Sequence, residues 1–143
     1  MNNYFTISEL CISDEDIPQH VADKLLKHHI LQMNVVREKL GAPIWASQNS
    51  GYRPYTWEIA RGRSGRSQHT FGDKGAVDWT CSDLKELFKL LLEHTSYTRI
   101  AVYPSDEGNF IHCDHKASSR QLFLSDSGSD WKLSTEAQIL EKL

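Results

Sequence analysis

A chain of 143 residues and 16.4 kDa has room for one hydrophobic core but not for two independent ones, so a single domain is expected. Hydrophobic residues at 39% and charged residues at 24% give the balance of a folded globular protein and exclude a disordered one. Sixteen basic against nineteen acidic side chains leave a net charge of −3, which lacks the broad basic field of a non-specific nucleic-acid binder.

The N-terminal stretch MNNYFTISEL has no basic region followed by an apolar core, and the apolar runs elsewhere fall far short of the roughly 20 residues of a bilayer span. The expectation is a soluble, monomeric chain without a leader, cytoplasmic when made. Cys11, Cys81 and Cys113 are odd in number, widely spaced and form no CxxC pair, so a disulfide framework is not expected. Seven histidines are more than composition predicts, and their spacing must decide what they do.

The first predicted element is a helix from about residue 17 to 40, opened by Asp14, Glu15 and Asp16 with Pro18 in its first turn and closed by Gly41 and Pro43. Ala22, Leu26, His29, Met33, Val36 and Leu40 recur at helical steps and predict its buried stripe. His29, within that stripe, reads as a hydrogen-bonded core histidine. A short strand over 43–47 then enters the turn-rich stretch 49–54, and a short helix follows over 55–61. The stretch 61–67 holds three arginines among small residues, an exposed loop that either is merely solvated or grips an anionic ligand.

Strand character returns at 75–80, and Ser82 is placed to cap a helix running to about His94, with Leu84, Leu87, Phe88, Leu91 and Leu92 facing inward. Residues 99–103 and 110–114 read as the two strands of a hairpin around the turn 104–109, and 120–124 as another strand. A flexible loop over 125–129 precedes a last helix to Leu143, where Thr135 and Gln138 have the spacing of a capping box. This order predicts an α+β domain with a small, mostly antiparallel sheet packed with helices.

A hydrolytic metal centre needs three rigidly held His, Asp, Glu or Cys ligands and an open fourth position. His69 at the end of a loop, Asp78 on the strand after it and His112 on the hairpin strand offer such a set, although a histidine-rich chain can supply a fortuitous trio. Residues two apart on a strand share a face, so His112 and Asp114 project together while Ile111 and Cys113 point to the core. A ligand and a carboxylate side by side suit proton transfer at a metal.

The wording around these residues is more specific. Ser50-Gly51-Tyr52-Arg53-Pro54, then Ser67-Gln68-His69-Thr70-Phe71-Gly72 with Gly75-Ala76-Val77-Asp78, then Tyr103-Pro104 and Phe110-Ile111-His112-Cys113-Asp114, resemble in that order the zinc D-alanyl-D-alanine carboxypeptidase and peptidoglycan-endopeptidase family, which shares its fold with the Hedgehog signalling domain. The resemblance covers about residues 45–114. It implies a Hedgehog/DD-peptidase-like fold, a zinc ion held by His69, Asp78 and His112, and a peptidoglycan peptide as substrate. Asp73 and Lys74 enlarge the loop between the first two ligands by two residues, an insertion that can bulge outward at little cost; Asp73 is the less favoured substitute for Asp78. For the general base, relatives offer either a glutamate a few residues before the third ligand, here Glu107, or His-x-Asp on the strand itself, here Asp114. Same-face geometry favours Asp114 as base, the alternative being a partner that orients a ligand imidazole. Arg53 resembles the family arginine that faces the substrate, where a guanidinium grips a carboxylate or steadies an oxyanion. Tyr52 belongs either to the substrate site or to the core, and Ser67 bonds either locally or to substrate.

The functional expectation is a zinc metallopeptidase acting on the peptides of bacterial cell wall, a phage-type small enzyme that works after lysis or as part of a particle. The alternative is a zinc-binding module of the same fold that has lost hydrolysis and binds a partner.

Overall fold

A computed structural model describes residues 3–12, 17–47, 50–106, 108–125 and 130–143. The acidic run Asp14–Asp16 expected to open the first helix, Asn49 of the predicted turn, Glu107 and most of the predicted loop 125–129 lie outside these residues. Pro18 occupies the N-cap of α1 (Gln19–Leu25), a single π turn spans Leu26–Ile30, and α2 (Leu31–Leu40) continues from it. Gly41 then ends the helix in the left-handed region, at φ 69°, which glycine adopts without strain. The π turn adds one residue to the helical repeat. From His29, within the turn, the expected stripe holds on through Met33 and Val36; before the turn the buried positions fall one residue earlier, at Val21 and Leu25, leaving Leu26 exposed and Ala22 only partly covered.

Among the described residues six strands form one sheet: β1 (Ile44–Ala46), β2 (Ala76–Cys81), β3 (Arg99–Tyr103), β4 (Phe110–Asp114), β5 (Gln121–Ser125) and β6 (Trp131–Leu133), in the order β1-β2-β4-β3-β5-β6. Every neighbouring pair is antiparallel except β3 and β5, which run parallel. The α+β class and the mostly antiparallel sheet are as expected. Strand β6 is not, because three residues, Trp-Lys-Leu, are too short to show a period of two. The remaining helices are α3 (Tyr55–Ala60), α4 (Leu84–His94) and α5 (Glu136–Lys142). Thr135 and Gln138 form the predicted capping box of α5. The cap of α4 is Asp83 rather than Ser82, its carboxylate accepting the Glu86 N–H at 3.1 Å.

Strand pleating divides the sheet into two chemically different faces. Val77, Trp79, Ile100, Val102, Ile111 and Cys113 alternate onto one face and are buried with the inward residues of α1, α2 and α4 in one core cluster. The opposite face carries the rung Asp78, His112, Ala101 and Phe123, and beside it the rung Ala76, Asp114, Arg99 and Gln121. The polar and titratable groups of the central strands are thus gathered on the side away from the helices.

A chain of buried hydrogen bonds joins the helical layer to the loop that precedes β2. The Trp79 indole N–H donates to the Tyr97 oxygen at 3.2 Å, the Tyr97 hydroxyl donates to His29 Nδ1 at 2.7 Å, and His29 Nε2–H donates to the Lys74 carbonyl at 3.0 Å. An indole only donates and a carbonyl only accepts, so the chain runs in one direction and requires a neutral His29 protonated at Nε2. Burial sets its pKa down from 6.5 to about 3, against the pull of the Lys74 carbonyl. His29 is therefore the satisfied core histidine that its place in the helix stripe predicts. Its carbonyl partner belongs to Lys74, in the loop between His69 and Asp78.

The His29 shift has a pH signature of known sign. Between pH 6.5 and about 3 the unfolded chain binds a proton at this position that the native state refuses, so stability falls as pH drops through that window, by about 1.4 kcal/mol per pH unit for one proton. Denaturant titrations at a series of pH values should show that His29→Gln, though less stable at neutral pH, loses stability toward acid with a slope shallower by about one proton.

Candidate metal centre

His69 is fixed before any ion is considered. It lies in a turn of 3-10 helix, Gln68–Thr70, whose N-cap Ser67 accepts the His69 N–H on its hydroxyl at 3.1 Å. The His69 carbonyl accepts the Arg53 N–H at 2.8 Å, tying the turn to the Ser50–Pro54 segment. The ring then donates from Nδ1 to the Gly51 carbonyl at 3.0 Å, which leaves the Nε2 lone pair facing Asp78, 3.4 Å from its Oδ1. Gly51 packs so closely on the chain that a Cβ there would stand 1.8 Å from the Leu10 oxygen; only glycine permits this path.

Asp78 is held from both sides of its strand. Its N–H donates to the Ser50 carbonyl at 2.9 Å, and its carbonyl accepts the Ser47 N–H at 2.8 Å and the Ser50 hydroxyl at 3.1 Å. Across the ladder it faces His112, whose Nδ1 is 2.8 Å from Asp78 Oδ1. The other nitrogen of His112, Nε2, is 2.7 Å from Asp114 Oδ2. Asp114 accepts a second pair of bonds from Arg99, Nε to Oδ1 at 2.8 Å and Nη2 to Oδ2 at 2.6 Å, and a further one from the Lys116 N–H at 3.0 Å.

These contacts order the charges. Burial works against the Asp78 carboxylate, but the two imidazoles beside it outweigh burial and hold its pKa well below the usual range. Burial lowers His69 despite Asp78. For His112 burial again pulls down, and the hydrogen bonds to Asp114 and Asp78 win, raising it. Asp114 is held low by His112 and Arg99 against its own burial.

His69, Asp78 and His112 together could hold a metal ion: one donor atom of each lies within 4.8 Å of the others, and all three side chains are buried. The donor chemistry fits. Each imidazole gives one N–H to a protein oxygen, Gly51 or Asp114, so the other nitrogen of each is turned to the Asp78 side, where His112 Nδ1 would give up its proton to bind an ion; this arrangement orients histidine ligands. Donors around a tetrahedral zinc ion sit roughly 3.3 Å apart; Asp78 Oδ1 is 3.4 Å from His69 Nε2 and 2.8 Å from His112 Nδ1. Asp73 is exposed and stands outside the group.

The trio forms the floor of an open cleft of about 470 Å³ lined also by Ser47, Arg53, Trp57, Arg63, Ser67, Tyr103, Phe110 and Trp131. Arg53 lies in this cleft, and its Nε is buried without a hydrogen-bond partner among the described residues. Of the arginines in the 61–67 loop, Arg63 lines the cleft, 3.4 Å from the fully buried carboxylate of Glu58, and Arg61 stacks on Trp57 at 3.9 Å. Ser67 both caps the His69 turn and lines the cleft, while Tyr52 packs edge-on against Phe71 at 5.9 Å and belongs to the core side. Asp114 shares the sheet face with His112 as the pleat predicts, but it sits behind that ring, across it from Asp78, with no exposed surface and no part in the cleft lining. Glu107 lies outside the described residues.

Several residues escaped the reading of the sequence. Trp57 and Trp131 look like any surface-helix and strand aromatics, and Arg99 lies in an apolar strand; nothing local marks them. Ser47 and Ser50 carry a signal only in hindsight, as hydroxyl and amide groups flanking a glycine turn. No curated protein matches the chain. The family model for Peptidase M15 matches residues 3–114, a span that contains all three candidate ligands, Arg53 and Asp114, and the chain belongs to that family.

Proposed function

We propose that the protein is a zinc-dependent peptidase that cleaves the peptide part of bacterial cell-wall peptidoglycan, as a D-alanyl carboxypeptidase or a cross-link endopeptidase. The observation that supports this most is the pair of imidazoles, each locked by a protein oxygen on one nitrogen and turned toward one carboxylate with the other, at the floor of a cleft that also holds an arginine. A helical layer behind the sheet and a reactive face in front are in keeping with the Hedgehog/DD-peptidase type of fold.

His69 Nε2, Asp78 and His112 Nδ1 would hold the ion, Zn²⁺ in this family. Zinc so held supplies Lewis acidity, polarising a carbonyl and making water acidic near neutral pH. The rest of the chemistry falls to the chain. Asp114 keeps the His112 ring in one tautomer and orientation, and Arg99 keeps Asp114 charged; with every oxygen of Asp114 engaged and none exposed, it serves as a positioning carboxylate rather than as the base. The base is then Glu107, the other carboxylate that the family resemblance offers. Arg53 offers its guanidinium to the substrate carboxylate or to the oxyanion that develops on the attacked carbonyl. Its unpartnered Nε is a donor that a substrate oxygen would satisfy.

Mass spectrometry of purified muropeptides before and after incubation tests the activity and identifies the bond; bound zinc with no change in any muropeptide would point instead to a binding module that has lost hydrolysis. Elemental analysis should find close to one zinc per chain, abolished in His69→Ala and in His112→Ala.

Two substitutions separate positioning from base catalysis. Glu107→Gln should retain zinc and lower turnover by about 10² or more, whereas Asp114→Asn should weaken zinc binding by roughly 10-fold or more, the scale seen when a ligand loses its orienting partner. Full turnover in Glu107→Gln would remove it from the reaction.

Arg53→Lys should lower kcat/KM by roughly 10-fold or more, because a point charge on a flexible stem does not reproduce the guanidinium fork. Zinc content and melting temperature should stay unchanged. Assaying substrates with free and amidated C-termini distinguishes the two roles: a carboxylate clamp makes the two losses non-additive, and an oxyanion role makes the loss equal on both.

A further inference from the structure

The cleft has one wall that the family-matched residues do not provide. Trp131 stands on β6, beyond the matched span of 3–114, yet its ring lies 4.8 Å from the His112 ring and 5.0 Å from the Arg99 guanidinium carbon. Reaching that position from the edge of the sheet requires specific neighbours. Strand β6 pairs Trp131 with Ser125, and β5 and β3 separate it from β4. Between His112 and Phe123 on their shared rung stands Ala101, whose side chain ends at Cβ. The indole is 5.2 Å from Phe123 and 4.8 Å from His112, the two rings that flank Ala101 on this rung. Its N–H donates to the Tyr103 hydroxyl oxygen at 2.7 Å, which fixes the rotation of the ring.

We propose that Trp131 is a positioning residue of the metal centre, and that the C-terminal strand β6 is therefore a working part of it. The flat indole covers two members of the relay Arg99–Asp114–His112. Over Arg99 it provides a cation–π contact that holds the guanidinium in the plane where it meets Asp114. Against the His112 ring it blocks rotation about the side-chain bonds that would swing Nδ1 away from Asp78. It also keeps water from competing for the Asp114–His112 hydrogen bond, which strengthens that bond in the lower local dielectric. Asp114 supplies the direction of the lock and Trp131 supplies its lid. This inference rests on the reading of His69, Asp78 and His112 as a zinc site.

Chelator competition on the full chain measures the zinc dissociation constant without any assay of turnover. Trp131→Ala should weaken zinc binding by about 10-fold or more, in addition to any fall in the melting temperature of the metal-free protein, since a residue that merely filled space would lower the melting temperature and leave affinity alone. Trp131→Phe, which keeps a flat ring over Arg99 and His112, should stay within about threefold of wild type on the same reasoning. Nitrogen chemical shifts of the His112 side chain in the zinc-loaded protein should report one tautomer, protonated at Nε2, in the wild type and a mixture in Trp131→Ala. If Trp131→Ala fails to fold, Trp131→Leu keeps apolar bulk on the strand without a ring or an N–H and should show the same loss. Wild-type zinc affinity and a single His112 tautomer in the alanine or leucine variant would overturn the role of Trp131. Absence of zinc binding in the wild type itself would overturn the metal-site reading, and this inference with it.

Discussion

Asp78 stands directly opposite His112 on adjacent antiparallel strands, and the rest of the site is arranged around that one register. Because side chains alternate along a strand, a slip of one residue would carry Asp78 into the core and bring Val77 or Trp79 to the cleft. The register is secured from the other face, where Val77, Trp79, Ile111 and Cys113 are wholly buried among the helices. Hydrophobic burial, at roughly 1.5–3 kcal/mol for each large side chain, thus does what the polar residues cannot do for themselves: it pins a cluster of titratable groups whose mutual approach is costly in the absence of a compensating charge.

The same division of labour explains the approach to the centre from the other strands. His69 is not on the sheet at all; it comes from a turn braced by Ser67, by the backbone of Arg53 and by the carbonyl of Gly51. The loop from His69 to Asp78 must close on this turn at one end and on the β2 ladder at the other. The carbonyl of Lys74, within it, is taken up by His29 from the helical layer. One backbone acceptor of the loop is therefore satisfied by a side chain of the core.

Much of this was open to reading from the residues, and the divisions have physical reasons. The long helix, the hairpin strands and the capping box at Thr135 carry strong local signals, so they emerged with boundaries within a residue or two. The three candidate ligands were legible through the resemblance of the stretches around them to a known family, and the face that His112 shares with Asp114 followed from the period of the strand. The π turn was not visible: it reads as ordinary helix until the buried positions shift by one, from Ala22 and Leu26 to Val21 and Leu25. The placing of Asp114 behind His112, and not beside the cleft, depends on Arg99, a residue fifteen positions away whose partner no local pattern could name. Trp57, Arg63 and Trp131 reach the cleft only through tertiary folding, from a short helix, a loop and an edge strand.

The pleat that gathers His112 and Asp114 on one side of β4 sends Cys113 to the other, where it has no exposed surface and burial pushes its thiol well above the ordinary range. Cys81, on the same face of β2, is likewise buried and shifted upward. Thiolate sulfur is the softest ligand a protein offers, and also the atom most readily oxidised. With its thiols kept protonated and turned into the core, the chain presents only nitrogen and oxygen to an ion entering the cleft. A hard-to-borderline donor set of this kind leaves copper(I) and other thiophilic ions without the ligand they prefer, and it leaves peroxide without a thiolate to attack at the reactive face.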